Sequence, residues 1–325
     1  MPDRIKSIDI ARAICIVLVV IGHYFPDGSP LWYCRFRNWI YSFHMPAFMF
    51  ISGYVYNLTQ RSAKRPTYLQ FIRKKARRLL VPYFVVSFII ILLKLSSQYL
   101  LKMQIKNPIG PDAFLKIFLG PEAAVHLWFI LALWWIFVIV PLFRSKSSHI
   151  VLLAAGTVLH YLPAVIPSIS YPEIFCLDYS ARHLIFFAAG MVIQDYELSF
   201  DGSSIWVTLL AVAAFAANSL TGFCHQIDPY IGVAGILGLS TLTGNLPDKA
   251  LSSLMTISKS SYTIYLVHSI FLGFIISCLK PIPALLNPNG PLFAAGAVLI
   301  VTASIYCCIA VHILLMTSGP DKSFG

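Results

Sequence analysis

An aspartate, an arginine and a histidine interrupt the first apolar run of this chain at helical spacing. The run Ile8–Tyr24 contains Asp9-Ile-Ala-Arg12, then ten residues, then His23. Eleven helical steps turn through about 1,100°, within ~20° of three full turns, and climb about 16 Å. Arg12 and His23 therefore line one stripe, and Asp9, at i−3 from Arg12, can neutralise its guanidinium. The helix carries an ion pair near one end and a titratable base far up the same face. A snorkelling arginine with an interfacial histidine would use the same residue types. An imidazole on a charged intramembrane stripe nevertheless favours a functional reading.

Other polar side chains recur in similar settings. His44, Phe48 and Ser52 share a face of the run Ser42-Phe-His-Met-Pro-Ala-Phe-Met-Phe-Ile-Ser-Gly-Tyr54. Pro46 would kink that helix or mark its first turn, and Gly53 would let a neighbouring helix approach closely. Ser261, Tyr265 and His268 stand at i, i+4 and i+7, one continuous face. His126 and Trp128 open one apolar run, and Arg182-His183 open another. Singly, each reads as an interfacial anchor or a packed polar residue. His23, His44 and His126 at outward-facing helix ends, with His268 inside a span, form a set that is harder to attribute to packing.

The elements that must position these residues are membrane helices. Hydrophobic residues make up 58% of the 325 and charged residues 11%, against about 45–50% and about 25% in soluble domains. Too little polar residue is present to cover a soluble protein, and disorder is excluded by the same figures. Ten apolar runs are candidate spans: 8–24, 40–56, 79–99, 127–143, 150–166, 184–193, 205–220, 230–242, 262–279 and 292–316. The sixth and eighth are short and should extend into flanking polar residues. Pro/Gly/Asn/Ser clusters at 26–30, 108–111, 201–204 and 287–291 separate them. The expectation is an all-α polytopic membrane protein with a single domain over 1–325 and no appended soluble domain. The basic-then-apolar N-terminus lacks a small-x-small cleavage site and reads as a retained first helix.

Net charge is +11, and eight of the 24 positive residues fall in one stretch: Arg61, Lys64, Arg65, Arg73, Lys74, Lys75, Arg77 and Arg78. No nucleic-acid-binding motif accompanies them, so a cytoplasmic loop is the simpler reading and no nucleic acid is expected. With the N-terminus inside, fifteen positive residues lie on the cytoplasmic side: these eight with Arg4, Lys6, Arg144, Lys146, Lys249, Lys259 and Lys322. Six lie outside: Arg35, Arg37, Lys102, Lys106, Lys116 and Lys280. The bias puts both termini in the cytoplasm. The seven cysteines are scattered, with no CxxC or Cys/His pattern, so neither a metal site nor a disulfide framework is expected.

The elements Asp9-x-x-Arg12…His23, Phe43-His-Met-Pro46…Phe50-Ile-Ser-Gly-Tyr54, Arg77-Arg-Leu-Leu-Val-Pro-Tyr83, His126-Leu-Trp-Phe129 and Ser260-Ser-Tyr-Thr-Ile-Tyr-Leu-Val-His268 resemble, in this order, the membrane-bound acyltransferase-3 family. That family includes polysaccharide O-acetyltransferases of the fucose 4-O-acetylase-like type. The resemblance runs from Asp9 to His268, and the Arg-x10-His spacing is its most specific part. It implies transfer of an acyl group, usually acetyl from cytoplasmic acetyl-CoA, to a sugar hydroxyl of a cell-surface or exported glycan. O-antigen or exopolysaccharide biosynthesis in a bacterial inner membrane is the implied setting, with a glycan or lipid-linked oligosaccharide as acceptor.

On that resemblance His23 becomes the general base, Arg12 orients the donor or stabilises developing charge, and Asp9 holds Arg12. Arg73, Lys74, Arg77 and Arg78 would hold the phosphates of coenzyme A, or contact anionic lipid. His44, His126, Trp128, Tyr265 and His268 would line the acceptor side. An acyl-histidine intermediate is an alternative mechanism. The competing class is a secondary transporter with an intramembrane Asp/Arg/His site, although no pair of related halves with broken helices is visible. The orientation is testable with reporter fusions. A fusion at Gly120 should report outside and one at Lys64 inside, and the opposite result at either point overturns the assignment of sides.

Overall fold

The computed structural model describes residues 6–60, 66–102, 105, 107–198, 204–221, 226–243, 246–279, 282, 286–287, 290 and 292–318. Among them all regular structure is helical. Of the positive residues used for orientation, Arg4, Arg61, Lys64, Arg65, Lys106, Lys280 and Lys322 lie outside the described residues.

Contacts divide the chain into two compact units, 1–51 with 199–325, and 52–198. The first holds α1 (Lys6–His23), the first two-thirds of α2 (Leu31–Gln60), α8 (Ser204–Thr221), α9 (Asp228–Leu242), α10 (Asp248–Leu279) and α11 (Phe293–Ser318). Its centre is α1, which packs on α9, α10 and α11. Ile10, Ala11, Ala13, Cys15, Ile16, Val19 and Val20 of α1 are wholly buried. From Ile8 on, apart from the stripe of Asp9, Arg12 and His23, the helix is apolar, as suits a helix packed inside a larger body.

The second unit holds the end of α2, α3 (Tyr68–Leu95), α4 (Ala113–Lys116), α5 (Trp128–Ile139), α6 (Lys146–Val165) and α7 (Leu177–Asp195). A π-helical turn, Ser96–Leu100, continues α3. Here α7 packs on α5 and α6, and α5 packs on α3. On α3, Leu79, Tyr83, Val86 and Ile90 face inward, whereas Val81, Val85, Phe88 and Leu92 form an exposed stripe. A water-facing helix would carry polar side chains on that stripe, so its solvent is lipid. Among the described residues six helical stretches are long and apolar enough to cross a membrane: those containing α3, α5, α6, α7, α10 and α11. The protein is an all-α polytopic membrane protein.

Several helices run past their apolar runs, and local chemistry explains where they start. Tyr33 and Cys34 both donate backbone N–H to the Pro30 carbonyl, so α2 begins at Leu31 rather than near Ile40. That extension draws Arg35 and Arg37 out of the expected outer loop and into a helix. Thr67 and Gln70 form a capping box, each side chain accepting the other's backbone N–H. Consequently α3 starts at Tyr68, and Arg73 to Arg78 lie within its first turns instead of in a loop. The same reciprocal cap between Ser145 and Ser148 starts α6. The short sixth run does extend into polar flanks, since α7 spans Leu177–Asp195 and so contains Arg182 and His183. Pro46 sits inside α2.

Close helix approach depends on missing side chains. A Cβ on Gly53 of α2 would collide with the Phe187 carbonyl of α7, and one on Gly156 of α6 would lie 2.8 Å from the Ile185 backbone nitrogen. Lipid offers helices no hydrophobic drive to associate, so such backbone contact supplies much of the attraction. Gly53→Ala should therefore lower the thermal midpoint of the detergent-solubilised protein, at a cost of about 1–3 kcal/mol. Gly120→Ala, where a Cβ meets nothing within 4 Å, should leave it unchanged. Equal midpoints for the two variants would contradict the packing assigned to Gly53.

Candidate functional site

The first unit gathers Asp9, Arg12, His23, His44, Tyr265 and His268. Arg12 Nη1 lies 3.3 Å from Asp9 Oδ1, and the same oxygen accepts the Ser258 hydroxyl of α10 at 3.2 Å. Asp9 is 4% exposed. A carboxylate buried that deeply requires donors, and these two tie α1 to α10. About three helix turns above Arg12, the His23 Nδ1–H donates to the Val19 carbonyl at 2.8 Å. The other nitrogen, Nε2, is then the basic one.

The histidines form a connected group. The His23 ring lies 4.8 Å from His268, edge to face, and 5.8 Å from Tyr41. Tyr41 in turn meets His44 at 5.0 Å. On α10, Tyr265 and His268 are 6.4 Å apart and both buried. His44 and His268 each donate Nδ1–H to the carbonyl four residues earlier, Ile40 and Ile264 respectively.

Residues of α2 fix the end of α1 that carries His23. The last carbonyls of a helix have no partner within it. Arg37 Nε donates to the Gly22 carbonyl at 2.8 Å, and Tyr33 Oη lies 2.8 Å from both the Ile21 and Tyr24 carbonyl oxygens. The Arg37 guanidinium also lies 4.4 Å from the rings of Phe25 and of Tyr41, a cation–π sandwich. A cation at a helix C-terminus further suits the helix dipole. Arg37, Tyr41 and Ser258 were not singled out from sequence. Arg37-x3-Tyr41-x2-His44 is a helical-face spacing, but Arg37 precedes the apolar run 40–56, and hydropathy alone places it in an outer segment.

In the second unit Arg73, Lys74, Arg77 and Arg78 are all exposed on α3. Their i, i+4 spacing puts Arg73 beside Arg77 and Lys74 beside Arg78. Lys75 differs, turning inward to set its ammonium 3.8 Å from the Phe137 ring centroid. His126 is buried in a 3-10 turn before α5. Trp128, half-buried, stacks on Tyr179 at 4.4 Å and meets His183 at 5.1 Å. Among the described residues no group of three or more His, Cys, Asp or Glu is placed to hold a metal ion.

Residues 5–311 match the model of the acyltransferase-3 family, described as an acyltransferase domain, and the match runs through both units. Two nodulation proteins NolL are similar to the chain. That of Mesorhizobium japonicum is 28% identical over 224 residues, covering 66% of this chain and 55% of the relative. That of Sinorhizobium fredii is 28% identical over 207 residues, covering 60% and 54%. The chain thus spans little more than half the length of these curated relatives. No solved structure matches it.

Tyr33→Phe isolates the anchoring of the α1 end. The ring contacts with Tyr24 and Phe293 remain, and only the hydroxyl is lost. Carbonyls left unpaired in a buried site cost about 1–3 kcal/mol. The variant should unfold at a lower temperature in detergent, and an unchanged midpoint would show that the hydroxyl does not hold α1.

Proposed function

The chain belongs to the acyltransferase-3 family, and on that premise we propose that it transfers an acetyl group from cytoplasmic acetyl-CoA to a sugar hydroxyl of an exported or cell-surface glycan. The observation that carries this reading is the stripe of α1: buried Asp9 paired with half-buried Arg12 below and His23 above, with Nε2 as its basic nitrogen. Family membership favours the transferase over the transporter alternative. In this reading residues 1–325 work as one transferase domain in a bacterial cell membrane, with both termini cytoplasmic.

The residues act in defined roles under the proposal. His23 Nε2 takes the proton of the acceptor hydroxyl as its oxygen attacks the thioester carbonyl. The tetrahedral adduct collapses, the C–S bond breaks, and the imidazolium returns the proton to the departing thiolate. The products are a sugar ester and free coenzyme A. Arg12, oriented by Asp9, supplies positive charge to the donor or to the developing oxyanion. Tyr265, His268 and His44 contact the acceptor. The exposed cations Arg73, Lys74, Arg77 and Arg78 suit the phosphates of the donor.

His23→Gln tests the reading. An amide keeps a hydrogen bond but cannot take the proton, so transfer should fall about 10²–10⁴-fold. The assay is base-labile label in glycan extracted from membranes supplied with labelled acetyl-CoA. Because the amide is uncharged and of similar size, membrane insertion and thermal midpoint should be retained. Near-normal transfer by this variant removes His23 as the base.

A further inference from the structure

The second unit contains a cleft of about 400 Å³ that plays no part in the roles above. The end of α2, the starts of α3 and α6 and the segment after α5 converge on it. Tyr68, Phe71 and Phe143 give it aromatic walls, and Asn57, Arg144 and His149 give it polar ones.

Its polar wall is held by a buried network. Asp195 Oδ2 accepts the His149 Nδ1–H at 2.6 Å, and Oδ1 accepts from Asn57 Nδ2 at 2.7 Å. The same Asn57 amide also donates to the Met191 carbonyl, and Lys146 Nζ donates to the Asp195 backbone carbonyl at 2.6 Å. His149 Nε2 faces the Phe143 carbonyl at 3.3 Å. Both carboxylate oxygens are thus engaged, and the Asn57 and His149 side chains are fixed before any ligand arrives.

Arg144 is placed differently. It is exposed at the cleft, and Nε makes one long contact, 3.3 Å, to the Pro141 carbonyl. No carboxylate among the described residues pairs with it. It stands immediately before Ser145, the N-cap of α6, so the positive end of that helix dipole reinforces its charge. A guanidinium with open donors takes phosphate, and aromatic walls take a flat ring. The exposed cations of α3 begin two residues beyond Phe71 on the same helix.

We infer that this cleft binds the phosphorylated adenosine end of the acyl donor, the base against the aromatic walls and a phosphate on Arg144. The inference rests on the proposal that the donor is a coenzyme A thioester. It adds a nucleotide subsite built from Asn57, Tyr68, Phe143, Arg144 and His149, of which the sequence pattern marked only Arg144, and that as a cytoplasmic positive charge.

The probe is adenosine 3′,5′-bisphosphate, titrated calorimetrically into the purified full chain. Saturable binding is expected, and Arg144→Gln should weaken it about tenfold or more, the loss of a charge-assisted contact. Tyr68→Leu should weaken it as well, and thermal midpoints of both variants establish that they are folded. The same affinity in Arg144→Gln, no binding by the wild type, or equal displacement by inorganic phosphate each overturns the subsite. The donor proposal fails separately. If Arg144-dependent binding is found but acetyl-CoA is never consumed, the cleft stands and the donor reading falls. If acetyl-CoA is consumed with the same KM in wild type and Arg144→Gln, and bisphosphate affinity is also unaltered, the donor reading stands and the cleft falls.

Discussion

One local hydrogen bond underlies the arrangement of polar groups in this protein. In four helices an imidazole donates Nδ1–H to the carbonyl four residues earlier: His23 to Val19, His44 to Ile40, His183 to Tyr179 and His268 to Ile264. Helical side chains lean toward the helix N-terminus, which brings Nδ1 over that carbonyl. The bond satisfies the donor without help from another helix, a strong advantage in a low-dielectric interior. It also selects the tautomer. Every ring held this way is left with Nε2 as its basic nitrogen, which is the tautomer that the role proposed for His23 requires. His44 and His268 follow the same rule around it.

Fixing the ring is useful only if the helix end beneath it is fixed as well. At the His23 end of α1 the terminal carbonyls would otherwise need water, and α2 supplies Arg37 and Tyr33 instead. Gly22 contributes by lacking a side chain, because a Cβ there would press within 2.9 Å of the Tyr41 ring. The Tyr41 ring lies under Arg37 and beside both His23 and His44. The early start of α2 thus positions the group, since a helix beginning at Ile40 would hold neither Arg37 nor Tyr33.

The sequence made the helical class legible through long apolar runs, and the Asp9–Arg12–His23 stripe through period alone. Ser261, Tyr265 and His268 were likewise found on one buried face of α10. Helix starts were harder to read because hydropathy marks the part of a helix in lipid, not where hydrogen bonding begins. Thr67-x-x-Gln70 fits the capping-box pattern whereas Ser145-x-x-Ser148 does not, and both lie in polar stretches between the runs. Asn57, His149 and Asp195 were invisible for another reason. They come from three helices, and no spacing within a single apolar run links them.

Asp9 and Asp195 illustrate why such long-range pairs exist. Each is a carboxylate with almost no contact with solvent, one in each unit. A buried charge of this kind is costly unless its oxygens are filled by donors. Asp9 is satisfied by Arg12 from its own helix and by Ser258, 249 residues away. Asp195 is satisfied by His149 and by Asn57, 138 residues away. No local turn can supply those distant partners, so the carboxylate is satisfied only when the right helices have packed. Between apolar helices that could otherwise slide in a uniform hydrocarbon medium, the requirement acts as a register mark. It also explains why His149, unlike the four self-bonded imidazoles, takes its acceptor from another helix. Its ring orientation depends on the packing of α6 against α7, whereas that of His23 depends only on its own helix.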